Sequence, residues 1–293
     1  MPPDPRIAVF ESQRRRLAGL AYRMTGSVAD SEDILQQAWL RFASQDPATI
    51  QTPARWLGTV VARLCLDHLR SARHRRETYI GAWLPEPLVA DNAPDAERGW
   101  ILAEDVSIAL ILVLETLSPE MRAAFILRDA FDYDWDEIAL VVDRSPETCR
   151  QLVSRARKRL AGADPAPSVS LETARPLAEA FWHASRTGDM QGLLQIFTAD
   201  IEVHSDGGGK VPSIFNVLKG PRRATGFFAG LARKRPDPPK PCPPLIRING
   251  VPGFLSVEQG NVLQTTALGI RDGRIAAIWV VRNPDKLRHL IRH

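Results

Sequence analysis

The sequence predicts a multi-domain protein: two all-α domains, a helical bundle and a helix-turn-helix, followed by an α+β domain. Three observations carry that expectation. The 293 residues are more than one ordinary domain needs. Apolar residues recur at helical spacing through residues 1–80 and again through 101–161. After the break "GADPAPSVS" at 162–170 the texture changes to one long helical stretch and then strand-like runs. Those runs include the hairpin signal Arg271-Asp272-Gly273-Arg274 between two apolar segments.

The elements follow in order. In "RLAGLAYRMTG" the apolar Leu17, Leu20, Ala21 and Met24 share a helix face, and Gly26 stops the helix. Ser27 caps the next helix, whose first turn carries Asp30, Glu32 and Asp33, acids that suit the helix dipole. Ile34, Ala38 and Phe42 form its buried face. A third helix follows Pro53, with Trp56, Leu57, Val60, Val61, Leu64 and Cys65 as its apolar stripe. Residues 81–104 are an inter-domain linker, rich in proline at its start and acidic, with an apolar anchor in Trp83, Leu84 and Pro85. Residues 105–162 return to helix. Ser118 and Ser145 each precede a proline at a first helical position. In "WDEIALVVDRSPETCRQLVSRARKRL" a short helix ends near Val142, turns at Asp143-Arg144, and enters a second helix. Its buried stripe there is Cys149, Leu152, Val153, Ala156 and Leu160. A second linker at 163–170 leads to the α+β domain, 171–293.

Composition excludes several classes. Hydrophobic content of 44% and charged content of 25% are globular values. No apolar run approaches the ~20 residues of a membrane span, and the N-terminus has no secretory core, so a cytoplasmic protein without membrane contact is expected. Cys65, Cys149 and Cys242 are odd in number and form no CxxC pair, which argues against a zinc site or a disulfide framework. No cofactor is expected. The net charge of +4 does not by itself indicate nucleic acid; the local runs do more.

The second helix of the 134–160 segment has a polar, cationic surface: Glu147, Thr148, Arg150, Gln151, Ser154, Arg155 and Arg157. A helix-turn-helix puts the start of such a helix in the major groove, where its polar residues reach base edges and its later arginines neutralise phosphate. The first 160 residues, with "MTGSVADSEDILQQAWLRF", "RWLGTVVARLCLDHLRSARHRRE" and this segment, resemble the extracytoplasmic-function (ECF) type of bacterial sigma factor. The resemblance implies a function in promoter-specific transcription initiation, with core RNA polymerase and promoter DNA as partners and the free protein a monomer. It makes 1–80 the part that docks on the β′ clamp helices through Glu32, Asp33, Gln36, Gln37 and Arg41. The same part opens the −10 element through Arg55, Trp56, Arg63, Asp67, His68, Arg70 and Ser71. It makes 105–162 the reader of the −35 element. Trp56 and His68 have plain alternatives, a core residue and a surface residue.

The last 130 residues resemble a SnoaL/NTF2-like cone. The strings "WLPEP" (83–87), "DGGGK" (206–210) and "NPDKL" (283–287) resemble marks of the sigma factors that carry such a fused domain. The resemblance implies a built-in regulator in place of a separate anti-sigma factor. Its expected interface is Trp83, Leu84, Pro85, Asp206, Gly207, Lys210, Asn283, Pro284, Asp285, Lys286 and Leu287. "DGGGK" lacks the GxxxxGK[ST] spacing of a phosphate loop, and consecutive glycines suit a tight turn or a close approach. The alternative is a SnoaL-type enzyme, or a sensor with a small ligand in the cone, tethered to a DNA-binding part. His183, Asp189, Asp200, His204 and Asp206 are the candidate polar groups, and Trp182, Trp279, Phe227 and Phe228 the candidate walls. Tyr22, Tyr79 and Tyr133 all precede residue 140, which removes that standard oxyanion donor from the α+β domain.

Overall fold

The computed structural model describes residues 4–46, 49–77, 79–90, 107–161, 169–235 and 240–291, with backbone alone at 72–77 and 90. The expected linkers lie partly outside these residues, at 91–104 and 163–168. The chain forms two compact units. One comprises 1–78 with 94–164, the other 79–93 with 165–293.

The first unit is all helix: α1 (Pro5–Thr25), α2 (Val28–Ala43), α3 (Pro53–Glu77), α4 (Ile108–Glu115), α5 (Pro119–Asp129), α6 (Trp135–Val142) and α7 (Pro146–Leu160). Gly26 ends α1 in the left-handed conformation at φ 69°, and the Ser27 side chain accepts from the Asp30 N–H at 3.1 Å to start α2. Most positions of the stripes read from the sequence are buried: Leu17, Leu20 and Met24 of α1, Ile34 and Phe42 of α2, and Leu57, Val61 and Cys65 of α3; Trp56 and Val60 of the α3 stripe are half-buried. Arg122 of α5 is 3% exposed and ties the helices together. It donates at 2.7 Å both to the Met24 carbonyl, at the end of α1, and to the Glu115 carboxylate. Burial pulls its pKa down to about 10, still far above neutrality.

The second unit is α+β. After β1 (Val89–Ala90) come α8 (Leu171–Thr187), α9 (Met190–Ile196), β2 (Phe197–Asp206), β3 (Leu218–Lys219), α10 (Pro221–Arg233), β4 (Ile246–Ile248), β5 (Val251–Glu258), β6 (Val262–Arg271) and β7 (Arg274–Val281). A 3-10 helix, Pro284–Leu290, follows. The sheet order is β1-β4-β5-β6-β7-β2-β3, antiparallel except for the β2–β7 pair. Two-residue turns with both residues at positive φ join β4 to β5 (Asn249, Gly250) and β6 to β7 (Asp272, Gly273). One face of the sheet, with Val203, Phe254, Leu268 and Ile278, packs on Ala178 and Phe181 of α8 and Phe228 of α10. Phe181 and Phe228 meet edge-on at 5.2 Å. Strand alternation turns His204, Asp206, Trp279 and Val281 to the opposite face.

The first strand comes from the expected linker. Val89 and Ala90 pair with Ile248 and Arg247 of β4, and residues 79–90 belong to the α+β unit.

Candidate functional site

On α2, Glu32, Asp33, Gln36, Gln37 and Arg41 are all exposed, on the side opposite Ile34, Leu35, Ala38 and Phe42. Leu40, 61% exposed, adds an apolar side chain to that face, which the sequence reading did not single out.

On α3, Arg63, Asp67, Arg70 and Ser71 are exposed on one face, at offsets of four, seven and eight residues from the first. Two cations of this face, Arg63 and Arg70, and Arg55 earlier on the helix bond to the α5–α6 region of the same unit. The Arg55 guanidinium sits 4.8 Å from the centre of the Tyr133 ring and donates to Glu137 at 3.3 Å. Arg63 donates to the Leu140 carbonyl at 2.7 Å, and Arg70 to Glu120 at 3.1 Å. Close approach is built into the backbone: a Cβ at Gly58 would lie 1.8 Å from the Tyr133 hydroxyl oxygen. His68 lies 3.3 Å from Asp30, and the half-buried Trp56 packs on Phe42 with ring centroids 5.8 Å apart.

In the helix-turn-helix, Asp143 takes the left-handed conformation (φ 58°) that ends α6, and Ser145 caps α7 by accepting from the Thr148 N–H at 3.2 Å. Cys149, Val153 and Ala156 are buried, while Glu147, Arg150, Gln151, Ser154 and Arg155 are exposed. Thr148 is half-buried, its hydroxyl 2.9 Å from that of Ser145. Arg157 is held in the domain by two bonds to the Asp129 carboxylate, at 2.6 and 3.0 Å.

In the α+β unit the three short strings meet. Asp206, at the end of β2, is fully buried. Its carboxylate accepts from the Tyr79 hydroxyl (2.5 Å), the Leu84 N–H (2.9 Å), the Gly208 N–H (3.0 Å) and the Lys286 ammonium (2.8 Å). Lys286 is itself 8% exposed. It also donates to the Leu84 carbonyl and lies 4.3 Å from the centre of the Trp83 ring and 5.0 Å from that of Tyr79. The Asn283 amide donates to the Tyr79 hydroxyl at 3.0 Å. A buried ion pair is tolerated where each partner's remaining bonding capacity is met, as it is here. Leu84, Pro85 and Leu287 are buried around it. Lys210 pairs with Asp285, and Pro284 opens the 3-10 helix that presents Lys286. Gly208, at φ 60°, passes so close to Asn283 that a Cβ would lie 2.2 Å from its Nδ2 atom. Gly207, beside it, forms the turn with Lys210, whose N–H bonds to its carbonyl at 3.0 Å. Farther along, Leu88 and Asn249 exchange bonds at 2.8 and 3.1 Å, and the Pro87 carbonyl lies 2.8 Å from His289 Nε2.

Tyr79 corrects one sequence reading. Position along the chain places every tyrosine before the α+β domain, yet Tyr79 packs in that unit. Burial, then the adjacent Asp206 carboxylate, pushes its phenol well above the usual range. Sequence reasoning missed it, along with Leu88, Asn249 and His289, because what joins them is tertiary pairing rather than spacing.

A cavity of about 200 Å³ opens on the helix-packed side of the same sheet. Trp182, Phe227 and Phe228 line it; Trp279 does not, since its strand position faces the other side. None of the candidate acid/base groups lines it. Asp189 caps α9, Asp200 pairs with Arg271, His204 with Glu202, and Asp206 with Lys286. His183 is exposed on α8.

Residues 9–75 match the family model "Sigma-70 region 2", and residues 107–160 match "Sigma-70, region 4". The chain is 38% identical over 294 residues to the ECF RNA polymerase sigma factor SigJ of Mycobacterium tuberculosis, covering 96% of this chain and 92% of the relative. It is 30% identical to the probable ECF RNA polymerase sigma factor SigI of the same organism, covering 97% and 95%. The crystal structure of M. tuberculosis SigJ superposes with a TM-score of 0.77 at 36% identity, over 96% of this chain and 98% of that one.

Proposed function

The chain belongs to the ECF RNA polymerase sigma factors, and from that premise we propose that its SnoaL-like domain regulates initiation by holding the linker between the two DNA readers. As a sigma factor the protein works with core RNA polymerase and promoter DNA. The finer assignments are part of the proposal. The exposed face of α2 docks on the β′ clamp helices, the Arg63–Ser71 face of α3 with Arg55 and Trp56 handles the −10 element, and the exposed start of α7 reads the −35 element.

The observation that carries the regulatory reading is the buried Asp206 carboxylate, which gathers bonds from the linker (Tyr79, Leu84) and from the C-terminal 3-10 helix (Lys286) at once. Holding residues 79–90 withdraws roughly 40 Å of reach from the connection between α3 and α4, at ~3.3–3.6 Å per extended residue. Region 2 and region 4 must separate before Arg55, Arg63 and Arg70 leave Glu137, Leu140 and Glu120 for phosphate. A withheld linker opposes that separation, so the lock is inhibitory.

The test is run-off transcription with core polymerase, comparing the full chain with one ending at residue 282, which lacks Asn283 to Leu287. Higher activity from the shortened chain supports the reading. Equal activity removes any regulatory role from the tail, and failure of both chains to bind core polymerase would sink the docking assignment.

A further inference from the structure

The cavity beneath the sheet holds a charge imbalance that neither DNA recognition nor the linker lock uses. Three arginines from separate elements line it: Arg186 at the end of α8, Arg235 after α10 and Arg282 after β7. One carboxylate answers them among the described residues. Glu258, 11% exposed in its side chain, accepts from Arg186 at 2.5 Å and from Arg235 at 3.1 Å, and from the Ser256 hydroxyl at 2.8 Å. Among the described residues the Arg282 guanidinium donates to the Pro212 carbonyl alone, at 2.6 Å. Arg235 Nη1 and Arg282 Nε are buried with no hydrogen-bond partner among the described residues. Leaving guanidinium N–H groups dry and unpaired costs free energy, and a native site keeps such groups where something else satisfies them. Burial lowers the pKa of Arg186 to about 10, which leaves it charged at neutral pH, and burial also lowers that of Arg282.

The rest of the wall states what kind of anion fits. Phe181, Trp182, Phe227 and Phe228 supply flat apolar surface, and Arg186 stacks on Trp182 with its guanidinium carbon 3.2 Å from the ring centre. Gln264 and Ser213 add neutral hydrogen-bonding groups. At about 200 Å³ the space is below the ~300–1,000 Å³ of pockets for drug-sized ligands, which excludes a nucleotide. A planar fork of N–H donors beside an aromatic wall matches a carboxylate on a small apolar body.

We propose that this cavity is a binding site for a small monocarboxylic acid with an aromatic or short alkyl body, its carboxylate held by Arg235 and Arg282. The site stands on the opposite side of the sheet from Asp206 and does not depend on the regulatory reading of the linker.

Titration calorimetry on the full chain tests it with matched probes: benzoate against benzyl alcohol, hexanoate against hexanol, and inorganic phosphate. At least one acid is expected to bind at least tenfold more tightly than its alcohol and than phosphate, since bonds to a charged partner are the strong ones. Arg282→Met is expected to weaken that acid at least tenfold, and Arg282→Lys to restore part of the loss. The wild-type comparison needs no variant, so it holds if Arg282→Met fails to fold. Three results overturn the proposal: no heat from either acid up to about 10 mM, well past millimolar affinity; alcohols binding as well as acids; or phosphate displacing the bound acid at equal concentration. Because binding is read without transcription, its failure leaves the linker reading untouched, and the reverse holds as well.

Discussion

Replacing Asp206 by alanine removes a carboxylate to which linker and tail both bond. The side chain is fully buried and its partner Lys286 is 8% exposed, so the substitution strands an ammonium without its counter-charge. Breaking a buried pair this way typically costs about 3–5 kcal/mol. Three further bonds go with it, from the Tyr79 hydroxyl, the Leu84 N–H and the Gly208 N–H. The protein escapes most of that cost by letting 79–90 and the 3-10 helix lift off, which hydrates Lys286, while the core around Phe181, Phe228 and Phe254 stays closed. The loss is therefore expected as local opening rather than global unfolding. At ~1.4 kcal/mol per tenfold, the lower bound of about 3 kcal/mol corresponds to roughly a hundredfold faster exchange. Hydrogen–deuterium exchange at the Leu84 and Leu88 amides reads it directly, with the amides of β6 and β7 as internal controls. Unchanged protection at Leu84 in Asp206→Ala would refute the reasoning, because it would mean the linker is held without this carboxylate.

Other substitutions probe the remaining contacts. Gly58→Ala puts a Cβ where the Tyr133 hydroxyl now lies; overpacking of that kind costs about 1–3 kcal/mol, and a lower urea midpoint with better promoter DNA binding is expected. The exposed Arg155 is expected to contact phosphate, so Arg155→Ala should flatten the dependence of log K on log salt by about 0.9. Tyr79, whose phenol is raised in the fold, keeps its proton where the unfolded chain loses it. Its stabilising contribution is complete below about pH 10 and is lost as pH rises beyond that. Urea midpoints compared at about pH 8 and 10.5 should therefore fall more steeply for wild type than for Tyr79→Phe.

Local chemistry made the helical half legible. Gly26 followed by Ser27, Ser118-Pro119 and Ser145-Pro146 mark the helix ends where the structure has them, and apolar spacing marks the buried faces. The Asp272-Gly273 turn was equally visible, because a two-residue hairpin loop needs positive φ at both positions. What could not be read were contacts made across the sequence. The linker reads as a connection with an apolar anchor at Trp83 to Pro85, and nothing local shows that Val89 and Ala90 complete a sheet edge whose other strand, β4, begins at Ile246. Arg157 reads as a phosphate contact on the helix surface, and nothing local reveals Asp129 beside it. Arg186, Arg235 and Arg282 sit in unremarkable surroundings along the chain, and only the closing of the sheet over α8 and α10 brings them to one cavity.

The regulatory claim meets its most direct test in the rate of abortive initiation by core polymerase with wild-type protein and with Lys286→Met. That variant leaves Asp206 its bonds from Tyr79, Leu84 and Gly208 while removing the tail's ammonium bonds to Asp206 and to the Leu84 carbonyl. A several-fold higher rate, with faster exchange at Leu84, is the expected result. Faster exchange at Leu84 with an unchanged or lower rate would contradict an inhibitory lock.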